Sequence, residues 1–278
     1  MYQSIFFIDL DGTVIQEIEP GLFHVPTQFK PELKKLEEIN CLPVVCTARQ
    51  PEFVKKVLGD LFSAGIFFNG SYILYKGTVL SQISYTEKQL GTLFQYAHDV
   101  QCGLILQGIL HAWCYNISPQ YFSLLNQMYN LNNYIQDIML NTKNPIYSID
   151  LFFTNTKQVE LAQQNLPFPY TLDYHEGDWT GVLTNLAINK GSAALTLCQY
   201  LGVPPSNCYG IGDSKNDIPL FQTIGHGIAV KNACAELLAV AKSSTDSCME
   251  DGIIAAIHKI ILSNDIKGTS IHLSTDNS

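Results

Sequence analysis

The chain has 278 residues, 46% of them hydrophobic and 15% charged, with a formal net charge of -9. That composition is ordinary for a globular protein that buries a substantial core in one or two domains. The acidic balance, with a pI of about 5.1, argues against non-specific binding to nucleic acid or to an anionic membrane, and it means that an anionic substrate must be met by local positive charge.

In chain order, Ile5-Phe6-Phe7-Ile8 reads as a buried strand, and it ends in Asp9-Leu10-Asp11-Gly12-Thr13. Two acids spaced i, i+2 at the tip of an apolar strand repel one another unless a cation offsets them, and an all-oxygen donor set favours Mg²⁺. One acid could attack while the other manages protons. A plain loop carrying two solvated aspartates would account for this motif on its own. The stretch from Thr13 through Gly21 and Pro26 reads as an irregular flap. Phe29, Leu33, Leu36 and Ile39 then recur at helical spacing. Leu42-Pro43-Val44-Val45-Cys46 is a second apolar strand, ending in Thr47-Ala48-Arg49, and Pro51 opens another helix with Phe53, Val54, Val57, Leu58 and Leu61 on one face. Strand and helix alternate, as expected of a doubly wound parallel sheet, whose ligands sit at the carboxyl ends of the strands.

From about Ser71 to Leu183 the pattern changes. A hairpin signal lies at Tyr75-Lys76-Gly77-Thr78, and Thr86 to Gln89 has the form of a capping box opening a helix through His98. Strands are expected at Gly103–Gln107, His111–Asn116, Ile146–Thr154, Tyr170–Tyr174 and Trp179–Leu183, with helices at Pro119–Leu131 and Lys157–Asn165. This reads as an α+β domain inserted into the first one. The expected division is a core of 1–82 and 184–278 around an insert of 83–183. Trp113, Tyr115, Tyr174 and Trp179 fit the insert's own core better than a substrate pocket. The helix-strand pattern then resumes, with helices at Ser192–Tyr200, Ile218–Phe221 and Ile253–Ile261, strands at Cys208–Ile211 and Gly227–Val230, and a polar, frayed tail after Ser263.

Eight cysteines include no C-x-x-C pair and read as reduced thiols rather than disulfides or zinc ligands. No segment has the unbroken apolar length of a bilayer span, and the N-terminal run lacks a basic flank and is broken by Asp9. A soluble, cytoplasmic protein is expected.

Four motifs follow in order: Asp9-x-Asp11-Gly12-Thr13, Thr47-Ala48-Arg49, Lys190 ahead of a helical run, and Gly212-Asp213-Ser214-Lys215-Asn216-Asp217. Together, over almost the whole chain, they resemble the haloacid dehalogenase-like hydrolase superfamily, and within it the Cof-type phosphatases with a large α/β cap. The resemblance implies a Rossmann-like core, a mobile cap over residues 83–183 that selects the substrate, and Mg²⁺-dependent hydrolysis of a small phosphorylated metabolite, a sugar phosphate or similar. It casts Asp9 as the nucleophile that forms an aspartyl phosphate and Asp11 as the acid-base group. Mg²⁺ falls to Asp9, Asp213 and the Asp11 carbonyl, with Asp217 acting through water or orienting Lys190. Thr47, Lys190 and Asn216, with Leu10 and Ala48, become the phosphate-binding set. Where many relatives carry Gly, this chain has Ala48. Arg49 is as readily a structural partner of a carboxylate as a substrate contact, and Lys231-Asn232 is a further position near the phosphate.

A phosphomutase would use the same aspartyl chemistry, and a non-catalytic phospho-acceptor would combine similar acids with a Thr and a Lys. Gly210-x-Gly212 does not continue to a third Gly, because position 215 is Lys, and there is no G-x-x-x-x-G-K-[ST] loop. The seven histidines lack zinc spacing.

Overall fold

The computed structural model describes residues 2–19, 21–129, 134–136, 144–175 and 179–272, with side chains as far as 263. Ser4–Ile8, buried throughout, lies within an eight-stranded sheet. The strand order is Ser243–Thr245, His226–Val230, Tyr209–Gly212, Ser4–Ile8, Cys41–Cys46, Ala64–Phe67, Tyr72–Tyr75 and Thr78–Gln82. The first six run parallel and the last two join antiparallel. Alternation along the strands feeds two cores, with Phe6 and Ile8 entering one and Ile5 and Phe7 the other. Each such side chain contributes about 1.5–3 kcal/mol by leaving water.

Register fixes where the motifs emerge. Ile8 pairs with Val45 on one side and Ile211 on the other, so Asp9, Thr47 and Asp213 leave the sheet at one edge. Helices Phe29–Glu38, Pro51–Leu58 and Lys190–Leu201 connect the strands.

A second, six-stranded sheet has the order Ile135–Gln136, Ala112–Tyr115, Gly103–Gln107, Ser148–Phe152, Thr180–Asn185 and Tyr170–His175. Helices Glu87–Val100 and Thr156–Gln164 pack on one face, and Phe122–Met128 on the other. Thr86 caps the first of these through the expected box with Gln89. Trp113, Tyr115 and Tyr174 lean on this sheet's own core, whereas Trp179 is 38% exposed.

Several elements differ from the expectation. The stretch after Thr13 is a two-stranded hairpin, Gln16–Glu19 with Leu22–His24; Gln16–Glu19 is exposed throughout, so no alternation marked it. The hairpin Tyr72–Tyr75 with Thr78–Gln82 extends the parallel sheet. Strand Ala64–Phe67, helix Ala235–Val240 and strand Ser243–Thr245 are too short for a clear period. The helix expected over Pro119–Leu131 is a 3₁₀ turn, Pro119–Tyr121, then Phe122–Met128, and positions 130 and 131 lie outside the described residues. The last helix continues from Gly252 to His272 rather than ending at Ile261, since no proline interrupts it. Among the described residues no helix is long and apolar enough to cross a membrane. The eight cysteines are free thiols.

Candidate active site

Strand Ser4–Ile8 ends in Asp9, which is 5% exposed and whose N–H extends the ladder to Ile211 O at 3.1 Å. Beyond it the chain folds back tightly: Leu10 O accepts from the N–H groups of Thr13, Val14 and Ile15 at 2.8–3.1 Å. Gly12 sits at φ +75°, and a Cβ there would lie 2.4 Å from Asp213 Oδ2. Only glycine allows both the turn and this approach of backbone to carboxylate.

Asp213 follows strand Tyr209–Gly212, and its Oδ1 accepts from Thr13 Oγ1 at 3.3 Å. Asp217, fully buried, takes the Asp213 and Ser214 N–H groups on Oδ2 at 3.1 and 3.2 Å. Lys190 opens helix Lys190–Leu201, which is capped by Asn189 in a capping box with Ser192. Its fully buried ammonium donates to Asp9 Oδ1 at 2.6 Å and to Asp217 Oδ1 at 2.7 Å. Asp9, Asp213 and Asp217 each offer a carboxylate oxygen, all within 4.8 Å of one another.

One buried cation thus faces three clustered acids. Burial raises the Asp9 pKa well above the usual carboxylate range, and the charges of Asp217 and Asp213 add to this while Lys190 opposes it. Asp213 is pushed up to about 6, by burial first and then by Asp217. Burial alone would discharge Lys190, but Asp217 and Asp9 outweigh it and raise its pKa, so it stays charged. A compact set of hard carboxylate oxygens, served by a single buried ammonium, supplies the ligands a small divalent cation takes. The residues therefore fit Mg²⁺.

The other expected residues lie around this cluster. The Asp11 carboxylate is gripped by Arg49 Nε and Nη2. Thr47 is buried at the tip of strand Cys41–Cys46, its Oγ1 accepting from Arg49 N–H at 3.1 Å, with Ala48 half-buried beside it. Leu10 is wholly buried and lies in the turn itself. Asn216 Oδ1 accepts from Ser214 Oγ at 2.8 Å, and its Nδ2 donates to Asn69 Oδ1 at 3.0 Å. Asn232 donates to Gly12 O at 2.8 Å and accepts from Cys248 N–H at 2.9 Å, bracing the Asp-Gly turn. Lys231 is instead exposed, 3.7 Å from Glu250.

Asn69 was not anticipated. It lies in Phe68-Asn69-Gly70, where all three residues have positive φ: 51°, 54° and 113°. A left-handed conformation costs a side-chain-bearing residue roughly 1–2 kcal/mol. The Asn-Gly pair is a turn signal in the sequence, but nothing there ties it to Asn216.

The chain belongs to the haloacid dehalogenase-like hydrolase family, whose sequence profile matches residues 6–257. YxeH of Bacillus subtilis (strain 168), whose name as a phosphatase is provisional, is 24% identical over 283 residues, covering 94% of this chain and 99% of the relative. A phosphoglycolate phosphatase of Methanoculleus marisnigri is 35% identical over 72 residues, only 26% of this chain and 31% of that protein. Among solved structures, the phosphatase BT1666 of Bacteroides thetaiotaomicron superposes with a TM-score of 0.79 at 16% identity, covering 93% of this chain and 95% of that one. The subclass IIB sugar phosphatase BT4131 superposes with a TM-score of 0.76 at 16% identity, covering 93% and 99%. The doubly wound α/β fold and the membership read from the four motifs are borne out.

Proposed function

We propose that the chain is a Mg²⁺-dependent phosphatase that hydrolyses small phosphate monoesters through an aspartyl-phosphate intermediate. The observation that carries this reading is the buried Lys190 bridging Asp9 and Asp217, with Asp213 beside them at the sheet edge. Asp9 Oδ attacks phosphorus in line as the bond from phosphorus to the leaving oxygen breaks. Asp11, with one oxygen released from Arg49 as substrate arrives, gives the leaving oxygen its proton, then takes one from the water that cleaves the intermediate, releasing phosphate and restoring Asp9. Lys190 neutralises charge on Asp9 and phosphate. Thr47 Oγ1, the Leu10 and Ala48 backbone and the Asn216 amide hold the phosphate oxygens.

Asp9, Asp213 and the Asp11 carbonyl would hold Mg²⁺, which would supply charge neutralisation for an anion approaching a carboxylate. Both Asp217 oxygens are already engaged, so Asp217 serves to fix Lys190.

Residues 83–183 act as a cap. The contact of Met128 O with Arg49, which grips Asp11, supports this, as does the packing of Ile109 on the core cluster. Sugar phosphates are the first substrate class to test, because one structural neighbour is a sugar phosphatase. Free thiols throughout suit a reducing compartment, the cytoplasm.

The test is phosphate release from a panel of phosphorylated metabolites and a chromogenic aryl phosphate, with Mg²⁺, for wild type and Asp9→Asn. Release by wild type alone supports the reading. Conversion of a sugar phosphate to its isomer without free phosphate would indicate a phosphomutase instead.

A further inference from the structure

The Phe68-Asn69-Gly70 turn is held in its left-handed conformation from several directions. Asn69 N–H donates to Thr47 O at 3.0 Å and Phe68 N–H to Arg49 O at 3.2 Å. A Cβ on Gly70 would lie 2.5 Å from Asn189 O, the carbonyl just before Lys190, so the turn is pressed against the start of that helix. The Asn69 side chain reaches the remaining loop through Asn216. One strained turn therefore touches the loops that carry Thr47, Lys190 and Asn216.

Strained backbone persists only where its surroundings hold it, and such positions gather at functional sites. What the strain secures here is the direction of one amide. Asn69 Oδ1 takes one N–H of Asn216, and Ser214 Oγ donates to Asn216 Oδ1. With both anchors made, the second N–H of Asn216 has a fixed direction and remains available as a donor.

We propose that Asn69 is a positioning residue, holding the Asn216 amide so that it donates to the bound phosphate group. This role rests on the phosphatase reading above. It belongs to binding more than to bond making, because Asn216 meets phosphate in substrate and product alike.

The experiment compares wild type, Asn69→Gly, Asn216→Ala and the double variant. Glycine keeps the left-handed turn and deletes only the amide. For each protein, kcat and KM are measured with the chromogenic aryl phosphate, and affinity for inorganic phosphate with Mg²⁺ is measured by calorimetry. Asn69→Gly and Asn216→Ala should each raise KM and the phosphate dissociation constant about tenfold, the worth of one hydrogen bond to a charged group. kcat should change little. The double variant should be no worse than Asn216→Ala. A merely structural role would lower melting temperature and kcat while leaving KM and phosphate affinity unchanged. If Asn69→Gly is unstable, Asn69→Ser serves, its hydroxyl being too short to reach Asn216. An active wild type with unchanged KM and phosphate affinity in the folded Asn69 variant overturns the positioning role and leaves the phosphatase reading standing. A wild type that neither releases nor binds phosphate overturns both.

Discussion

Arg49 holds Asp11 with two nitrogens, Nε to Oδ2 at 3.0 Å and Nη2 to Oδ1 at 2.8 Å. The guanidinium also sits 4.4 Å over the Phe53 ring and reaches Met128 O at 3.5 Å. Lysine would keep the charge but lose the planar fork and the stacking. Arg49→Lys should leave the melting temperature nearly unchanged and lower kcat about tenfold, part of the ~10²–10⁴ that a positioned acid-base group supplies. Steady-state kinetics decide this, and wild-type kcat in the variant would rule out the role for Arg49.

Asp9→Asn should abolish turnover yet fold at least as well as wild type. Asp9 is a buried acid whose raised pKa reflects burial first, and the amide removes that strain while Lys190 keeps Asp217. The melting temperature of the variant should be no lower than that of wild type. Turnover above a trace would contradict the covalent route.

Lys190→Met should be the most damaging single change at the site. It leaves Asp9 and Asp217 buried without their cation, a loss of about 3–5 kcal/mol in comparable buried pairs. Adding Asp217→Asn should recover part of it. Urea unfolding of the single and double variants measures both effects, and equal stability of Lys190→Met and wild type would refute the account.

Asp213 links stability to pH. Its pKa rises from the ordinary 3.8 to about 6 on folding, so its contribution to stability is complete below about 3.8 and is lost as pH rises through about 6. In excess chelator, wild type should therefore lose up to about 3 kcal/mol relative to Asp213→Asn between pH 4 and 7. A difference that does not vary with pH would sink this assignment.

Mg²⁺ should reverse that loss. At a hundred times its dissociation constant, binding adds about 2.7 kcal/mol, or roughly 5–10 °C in melting temperature. Asp213→Asn should show little of this rise. Full activity in excess chelator would exclude the metal role.

The sheet edge was legible because each strand there is an apolar run that ends abruptly in a polar motif, and parallel topology then brings distant tips together. The flap hairpin was not, because Gln16–Glu19 buries neither face. Asp9, Lys190 and Asp217 could be listed from motif order, but their shared ammonium contact depends on a helix start meeting a strand end. Asp11 and Arg49 were both visible, yet only the fold pairs them. Asn69 was hidden for a further reason: its contact spans 147 positions, and its presentation depends on a backbone angle.

Tyr147 stands next to strand Ser148–Phe152 of the six-stranded sheet, yet its side chain is buried in the hydrophobic cluster of the eight-stranded sheet. It stacks on Phe68 at 5.5 Å and 18°, meets the Tyr72 ring edge-on, and donates to Gln82 Oε1 at 3.0 Å. The two layers are therefore riveted through an aromatic plug as well as joined by the chain crossings. Pulling them apart would bare the faces of both rings to water. The plug therefore resists a gape between the layers, and the strained Phe68-Asn69-Gly70 turn supplies one of its rings.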